Sequence, residues 1–257
     1  MKNKEIFMKN IMIVAAHPDD EAIGCAAKII RTVAEKGKVT VVYITDGEFY
    51  EQSEARREEA KEAMKIVRVK NLVFLKHKGS DLTDKTSVDN LIETVKMLIE
   101  KNKAGEVYVP AFEGGNYEHD ITNYIVSQAA EGLKEKILVY EFPMYNNKLK
   151  MFLKRCTRRA RRLSGLGFYT FPPEFPNKKG ETIILNMSPE EMQIKKQMLE
   201  TYKSQNGNKI LLKCYMYPDK YRVCPKHDYR KKPHGIIPLI YETNTKLRFK
   251  DFKKVLR

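Results

Sequence analysis

Ile11-Met12-Ile13-Val14-Ala15-Ala16-His17-Pro18-Asp19-Asp20-Glu21 is the stretch on which the fold turns. From Ile11 to Ala16 it is apolar and rich in β-branched residues, the composition of a strand buried on both faces of a parallel sheet. The run stops at a polar cluster, so the cluster lies at a strand's carboxyl end. Pro18 suits the first turn of a helix, and Asp19, Asp20 and Glu21 place negative charge where a helix N-terminus is partially positive. A strand-to-helix turn follows. Within it His17 and Asp20, three apart, project to one side, whereas Asp19 is rotated by about 100° from Asp20. One imidazole and one carboxylate can grip the same ion while a second carboxylate stays free beside it. Metal-assisted hydrolysis needs that division: ligands to hold Zn²⁺, and a base that is not a ligand. Helix-dipole complementarity would explain the three acids but not His17.

Working outward, Glu21 to Lys36 has apolar positions at helical spacing, with Gly37 as its C-cap and Gly24 allowing close approach to a strand. Lys38 to Thr45 is a β-branched strand, so strand, helix and strand form a right-handed parallel unit. Helices are expected over Ser53–Val67, Ser87–Glu100 and Ile121–Leu133, and strands over 71–76, 106–112 and 136–143. The alternation predicts an α/β fold: a Rossmann-like, mostly parallel sheet with helices on both faces. A second histidine cluster, Glu113 to Asp120, follows the fourth strand, so it shares the rim of His17 and Asp20. Further along, 182–187 is a strand, and Ser188-Pro189-Glu190-Glu191 is a capping box with Pro at N1. We expect one domain over 1–257, with a basic insertion at 148–180 and a C-terminal extension at 208–257 packing on the core.

The string Ala16-His17-Pro18-Asp19-Asp20-Glu21 closely resembles the signature of the LmbE-like, or PIG-L-like, N-acetylglucosaminyl deacetylases. The resemblance implies Zn²⁺ ligands at His17 and Asp20 and a general base at Asp19. Glu113-Gly114-Gly115-Asn116-Tyr117-Glu118-His119-Asp120 resembles the family's E-G-G-H-x-D-H-D pattern, which makes His119 the third ligand. Asn116 stands where the family has a histidine, and Glu118 where it has Asp. Asparagine can stabilise an oxyanion by hydrogen bonding but cannot shuttle a proton near neutral pH. The acid's work then passes to Asp19, once protonated, or to His234. Arg56, in a segment resembling the family's R-x-x-E-x-x-x-A, and Asp81, after the third strand, are implied substrate contacts. The implied reaction is removal of an acetyl group from an N-acetylated amino sugar or glycoconjugate, in a phosphorylated, lipid-linked or free form.

Composition bounds the alternatives. With 257 residues and 42% hydrophobic content the chain can build a core, so disorder is excluded. The four cysteines form no C-x-x-C pair, which favours free thiols, and no apolar segment has a signal peptide's or membrane span's length; a cytoplasmic location is expected. The net charge of +15 admits nucleic acid, an anionic membrane face or a phosphorylated substrate. Lys150 to Leu163, carrying Arg155, Arg158, Arg159, Arg161 and Arg162, fits a basic amphipathic helix for peripheral membrane contact, or a nucleic-acid interface over 150–162. A nucleic-acid binder would leave both histidine clusters without purpose, so no nucleic acid is expected. Two histidines and a carboxylate also match non-haem Fe(II) oxygenases, although those sites sit on double-stranded β folds. No G-x-G-x-x-G follows the first strand, which disfavours dinucleotides.

Overall fold

The computed structural model describes residues 10–47, 52–145, 173–205, 212, 216–235 and 238–257. The basic segment 150–162 lies outside the described residues. Five strands, β1 (Ile11–Ala15), β2 (Val39–Thr45), β3 (Asn71–His77), β4 (Glu106–Pro110) and β5 (Leu138–Phe142), form the parallel part of a seven-stranded sheet. The sheet's order is β3-β2-β1-β4-β5-β7-β6, with β6 (Ile183–Leu185) and β7 (Asp219–Val223) antiparallel at one side. β1 and β2 are buried along their whole length, as their uninterrupted apolar runs require.

Alternate residues of β1 feed two cores. Met12 and Val14 face one with helices α4 (Lys85–Asn102) and α5 (Tyr117–Glu131), while Ile11, Ile13 and Ala15 face the other. On that second side lie α1 (Asp20–Gly24), α2 (Ala26–Ala34), α3 (Ser53–Ile66) and α6 (Pro189–Thr201). Two short late helices, α7 (Ile240–Asn244) and α8 (Phe249–Lys254), add Tyr241, Phe249 and Phe252 to the first core. A mostly parallel sheet covered on both faces is the architecture expected from the alternation. Ser188 caps α6 through the anticipated box.

Two elements differ from the sequence reading. The helix expected over Glu21–Lys36 is divided at Cys25, because Asp219 of β7 receives the Ala27 amide at 2.6 Å and so starts α2 afresh. Helix α5 begins at Tyr117 rather than Ile121: Asn116 accepts from the Glu118 amide at 2.7 Å as its N-cap. His119 therefore belongs to a helix's first turn. β1 neighbours β2 on one side and β4 on the other, so the turns after β1 and β4 open together at the sheet's switch point.

Candidate active site

The turn after β1 is held by its own acids. Asp20 Oδ2 accepts from the Ala16 and His17 amides at 2.9 and 3.0 Å, which leaves Oδ1 to face His119 Nε2 at 3.2 Å. His17 Nδ1 lies 3.1 Å from His119 Nε2 and 3.9 Å from Asp20 Oδ2. The two loops thus bring His17, Asp20 and His119 to one point, all three buried, with a donor atom of each within 4.8 Å of the others.

This donor set fits a divalent transition metal. Bonds of about 2.0–2.1 Å in tetrahedral geometry separate neighbouring ligands by about 3.3 Å, and two of the three separations come close to that. Two imidazole nitrogens and a carboxylate suit zinc or Fe(II) better than calcium or magnesium. His17 is further oriented by Glu118, whose Oε2 sits 3.0 Å from Nε2 and also accepts from Thr45 Oγ1 at 2.7 Å. With a hydrogen on Nε2, the Nδ1 lone pair points to the cluster. His119 Nδ1 is buried without a hydrogen-bond partner among the described residues.

Charge follows geometry. Burial opposes ionisation of Asp20, but the neighbouring His119 and His17 hold its carboxyl down at about 2. Burial likewise lowers the His17 pKa, yet the Glu118 and Asp20 carboxylates outweigh it and the net shift is upward. Glu118 is shifted down because His17 and Thr45 overcome its burial. Asp19 is pushed up to about 6 by burial, with Arg56 pulling the other way. Its backbone lies at φ +123°, ψ −27°, and its amide donates to Glu21 Oε2 at 3.2 Å. Glu21 is buried and pushed up to about 8 by that burial, and Tyr202, just past the end of α6, donates to its Oε1.

The other residues singled out by sequence are placed unevenly. Arg56 reaches the site from α3, but it is buried: Nη2 donates to the Pro18 carbonyl at 2.8 Å and lies 3.7 Å from Asp19 Oδ2. Asn116 caps α5. Asp81 caps its own turn, Gly79–Thr83, by accepting from the Lys78 amide at 2.9 Å; in that turn it is Gly79 that meets Glu118. His234 lies against Gly114, where a Cβ would come 3.3 Å from Nε2.

Sequence reasoning missed the roles of Glu118 and Thr45, although both lie where strand ends converge on one rim. It also missed Tyr145. Glu113 Oε1 accepts the Met144 and Tyr145 amides at 3.0 and 2.7 Å, while Asp120 holds the Glu113 and Gly114 amides. Gly115 has no Cβ where Tyr145 packs, and the phenol ring stands 5.3 Å from the His119 ring. The signal available was position alone, just past β5 on the same rim.

Residues 12–130 match the family model described as PIG-L: GlcNAc-PI de-N-acetylase. Over this stretch, which holds both histidine clusters, the chain is similar to the PIG-L family. No curated protein sequence matches it. Among solved structures, a deacetylase triple mutant (Orf2*T) of the teicoplanin biosynthetic pathway is 15% identical with a TM-score of 0.63, covering 86% of this chain and 99% of its own. The zinc-inhibited form of teicoplanin deacetylase Orf2 is 14% identical with a TM-score of 0.61 and the same coverage, 86% and 99%. The conserved protein TT1542 from Thermus thermophilus is 16% identical with a TM-score of 0.60, covering 84% and 94%. At these identities the likeness is one of fold. No helix among the described residues is long and apolar enough to cross a membrane.

Proposed function

We propose that this protein is a zinc-dependent hydrolase that removes the acetyl group from an N-acetylated amino sugar or glycoconjugate. The observation that carries the reading is the convergence of His17, Asp20 and His119 with Asp19 beside them and outside the donor set. The family description supports an amino-sugar amide, and the two imidazoles and one carboxylate of the donor set support zinc.

Zinc bound at His17, Asp20 and His119 would supply Lewis acidity towards the acyl oxygen and lower the pKa of water. The remaining work belongs to the chain. Asp19, its carboxyl near 6, is ionised at neutral pH and takes the proton of the attacking water. Glu118 fixes the His17 ring, and Arg56 flanks the base. Asn116 commits its Oδ1 to the Glu118 amide, which leaves its NH₂ group as the side chain's donor. The Tyr145 phenol, its ring 5.3 Å from that of His119, donates to the acyl oxygen as charge develops there. Protonated Asp19, or His234 beside Gly114, returns the proton to the nitrogen; the C–N bond breaks, leaving acetate and the free amine. The 150–162 segment would hold a phosphorylated or lipid-linked carrier, or an anionic membrane face.

The test is incubation of the full chain with a panel of N-acetylated amino sugars and glycoconjugates, read by mass spectrometry with and without added zinc. Loss of one acetyl is expected, and Asp19→Asn should keep the metal and lose turnover by roughly 10²–10⁴-fold. A metal-loaded His17→Ala variant with full activity overturns the assignment. Turnover that requires oxygen would move the same donor set to the Fe(II) oxygenase reading.

A further inference from the structure

Glu141, near the end of β5, has both oxygens engaged. Arg222 of β7 grips Oε1 through Nε at 2.7 Å and Nη2 at 2.6 Å, both side chains being fully buried. Oε2 faces three groups: His227 Nε2 at 2.9 Å, Cys224 Sγ at 3.7 Å and Asn123 Nδ2 at 3.1 Å. The His227, Cys224 and Glu141 donor atoms all lie within 4.8 Å of one another. Cys224-Pro225-Lys226-His227 puts two of these side chains on one short segment directly after β7. The cluster shares no residue with the site at the β1 and β4 ends.

Three features favour a ligand set over a plain hydrogen-bond knot. Thiolate, imidazole and carboxylate together are the donors of a borderline-soft cation such as zinc or cobalt. Bonds of about 2.0–2.3 Å place such ligands about 3.4–3.6 Å apart, so the two separations to Glu141, 2.9 and 3.7 Å, need only small adjustment. Cys224 and His227 also line a cavity of about 360 Å³, bordered by Ser127, Glu131, Val223 and Tyr229, which supplies an entry path and room for a water ligand. Arg222, on the far oxygen, fixes the carboxylate as an outer-shell partner does.

We propose that Cys224, His227 and Glu141 form a second divalent-cation site of zinc type, separate from the one formed by His17, Asp20 and His119. On binding, the thiol gives its proton to solvent and sulfur donates a lone pair. The hydrogen on His227 Nε2 leaves that nitrogen, to solvent or to Nδ1, and its lone pair enters the cation's shell. Nothing is oxidised or reduced.

Cobalt separates the two sites, because only this one holds a sulfur. Metal-free full chain titrated with Co²⁺ should develop a thiolate-to-cobalt charge-transfer absorption, kept in His119→Ala and lost in Cys224→Ser, which still binds cobalt at the other site. A measurement on the unmutated protein guards against misfolded variants: zinc should slow alkylation of the Cys224 peptide by iodoacetamide, read by mass spectrometry. The proposal is overturned by saturating cobalt without the absorption, by an absorption that survives Cys224→Ser, or by a Cys224 alkylation rate unaffected by zinc.

Discussion

Asp19 holds a carboxylate where the chain pays for it in backbone strain: φ +123° is a region that L residues rarely enter, and only the surrounding contacts keep it there. Its amide is tied to Glu21 and its carbonyl accepts from the Ile23 amide at 3.0 Å. Asp19→Ala and Asp19→Gly both delete the proposed base and its contact with Arg56, and they differ chiefly in the Cβ. Asp19→Gly should therefore be the more stable of the two by about 1–3 kcal/mol, the reverse of glycine's usual disadvantage. Urea midpoints of the two variants measure this. On the proposed reading Glu118 acts on the metal through His17. Glu118→Gln keeps an acceptor for Nε2 but loses the charge, so affinity for zinc should fall about 10–100-fold, read by competition with a chromophoric chelator. Unchanged affinity would make Glu118 a bystander.

Gly24 shows how tightly the first helices are drawn against the sheet. A Cβ there would meet the Phe142 ring at 2.2 Å, and Phe142 is fully buried at the end of β5. Gly24→Ala must displace that ring and should cost about 1–3 kcal/mol, seen as a lower denaturation midpoint with an unchanged slope. The close approach is legible in the sequence as a glycine within a helical pattern, whereas its partner, over a hundred residues away, is not. The same boundary runs through the fold. β1, β2 and the capped start of α6 are readable because each is decided by its own residues: apolar runs in the strands, Ser188 and Glu191 at the cap. The break at Cys25 depends on Asp219, and the cap that starts α5 on Asn116, which the family pattern presents as a site residue. At the site, His17, Asp20 and His119 stand in recognisable strings. Glu118 and Tyr145 enter the proposed site only through where the rim places them.

The whole molecule is closed by segments from its second half, and one buried pair carries much of that closure. Lys195 of α6 meets Asp219 of β7 at 2.6 Å, both nearly inaccessible, and its ammonium also donates to the Ile23 and Tyr217 carbonyls at 2.9 and 3.0 Å. Asp219 in turn takes the Ala27 amide and the Tyr221 hydroxyl, at 2.6 and 2.9 Å. The pair therefore joins α6 and β7 to the paired helices behind the β1 turn. Lys195→Met removes the cation and leaves a carboxylate uncompensated in the interior, which should cost roughly 3–5 kcal/mol. Adding Asp219→Asn removes the stranded charge while its amide oxygen can still accept from Ala27, so the double variant should recover much of the loss. Thermal or urea unfolding of the three proteins decides it. A double variant no more stable than Lys195→Met alone would mean that the lost donors to Ile23 and Tyr217, rather than the unpaired charge, weaken the fold.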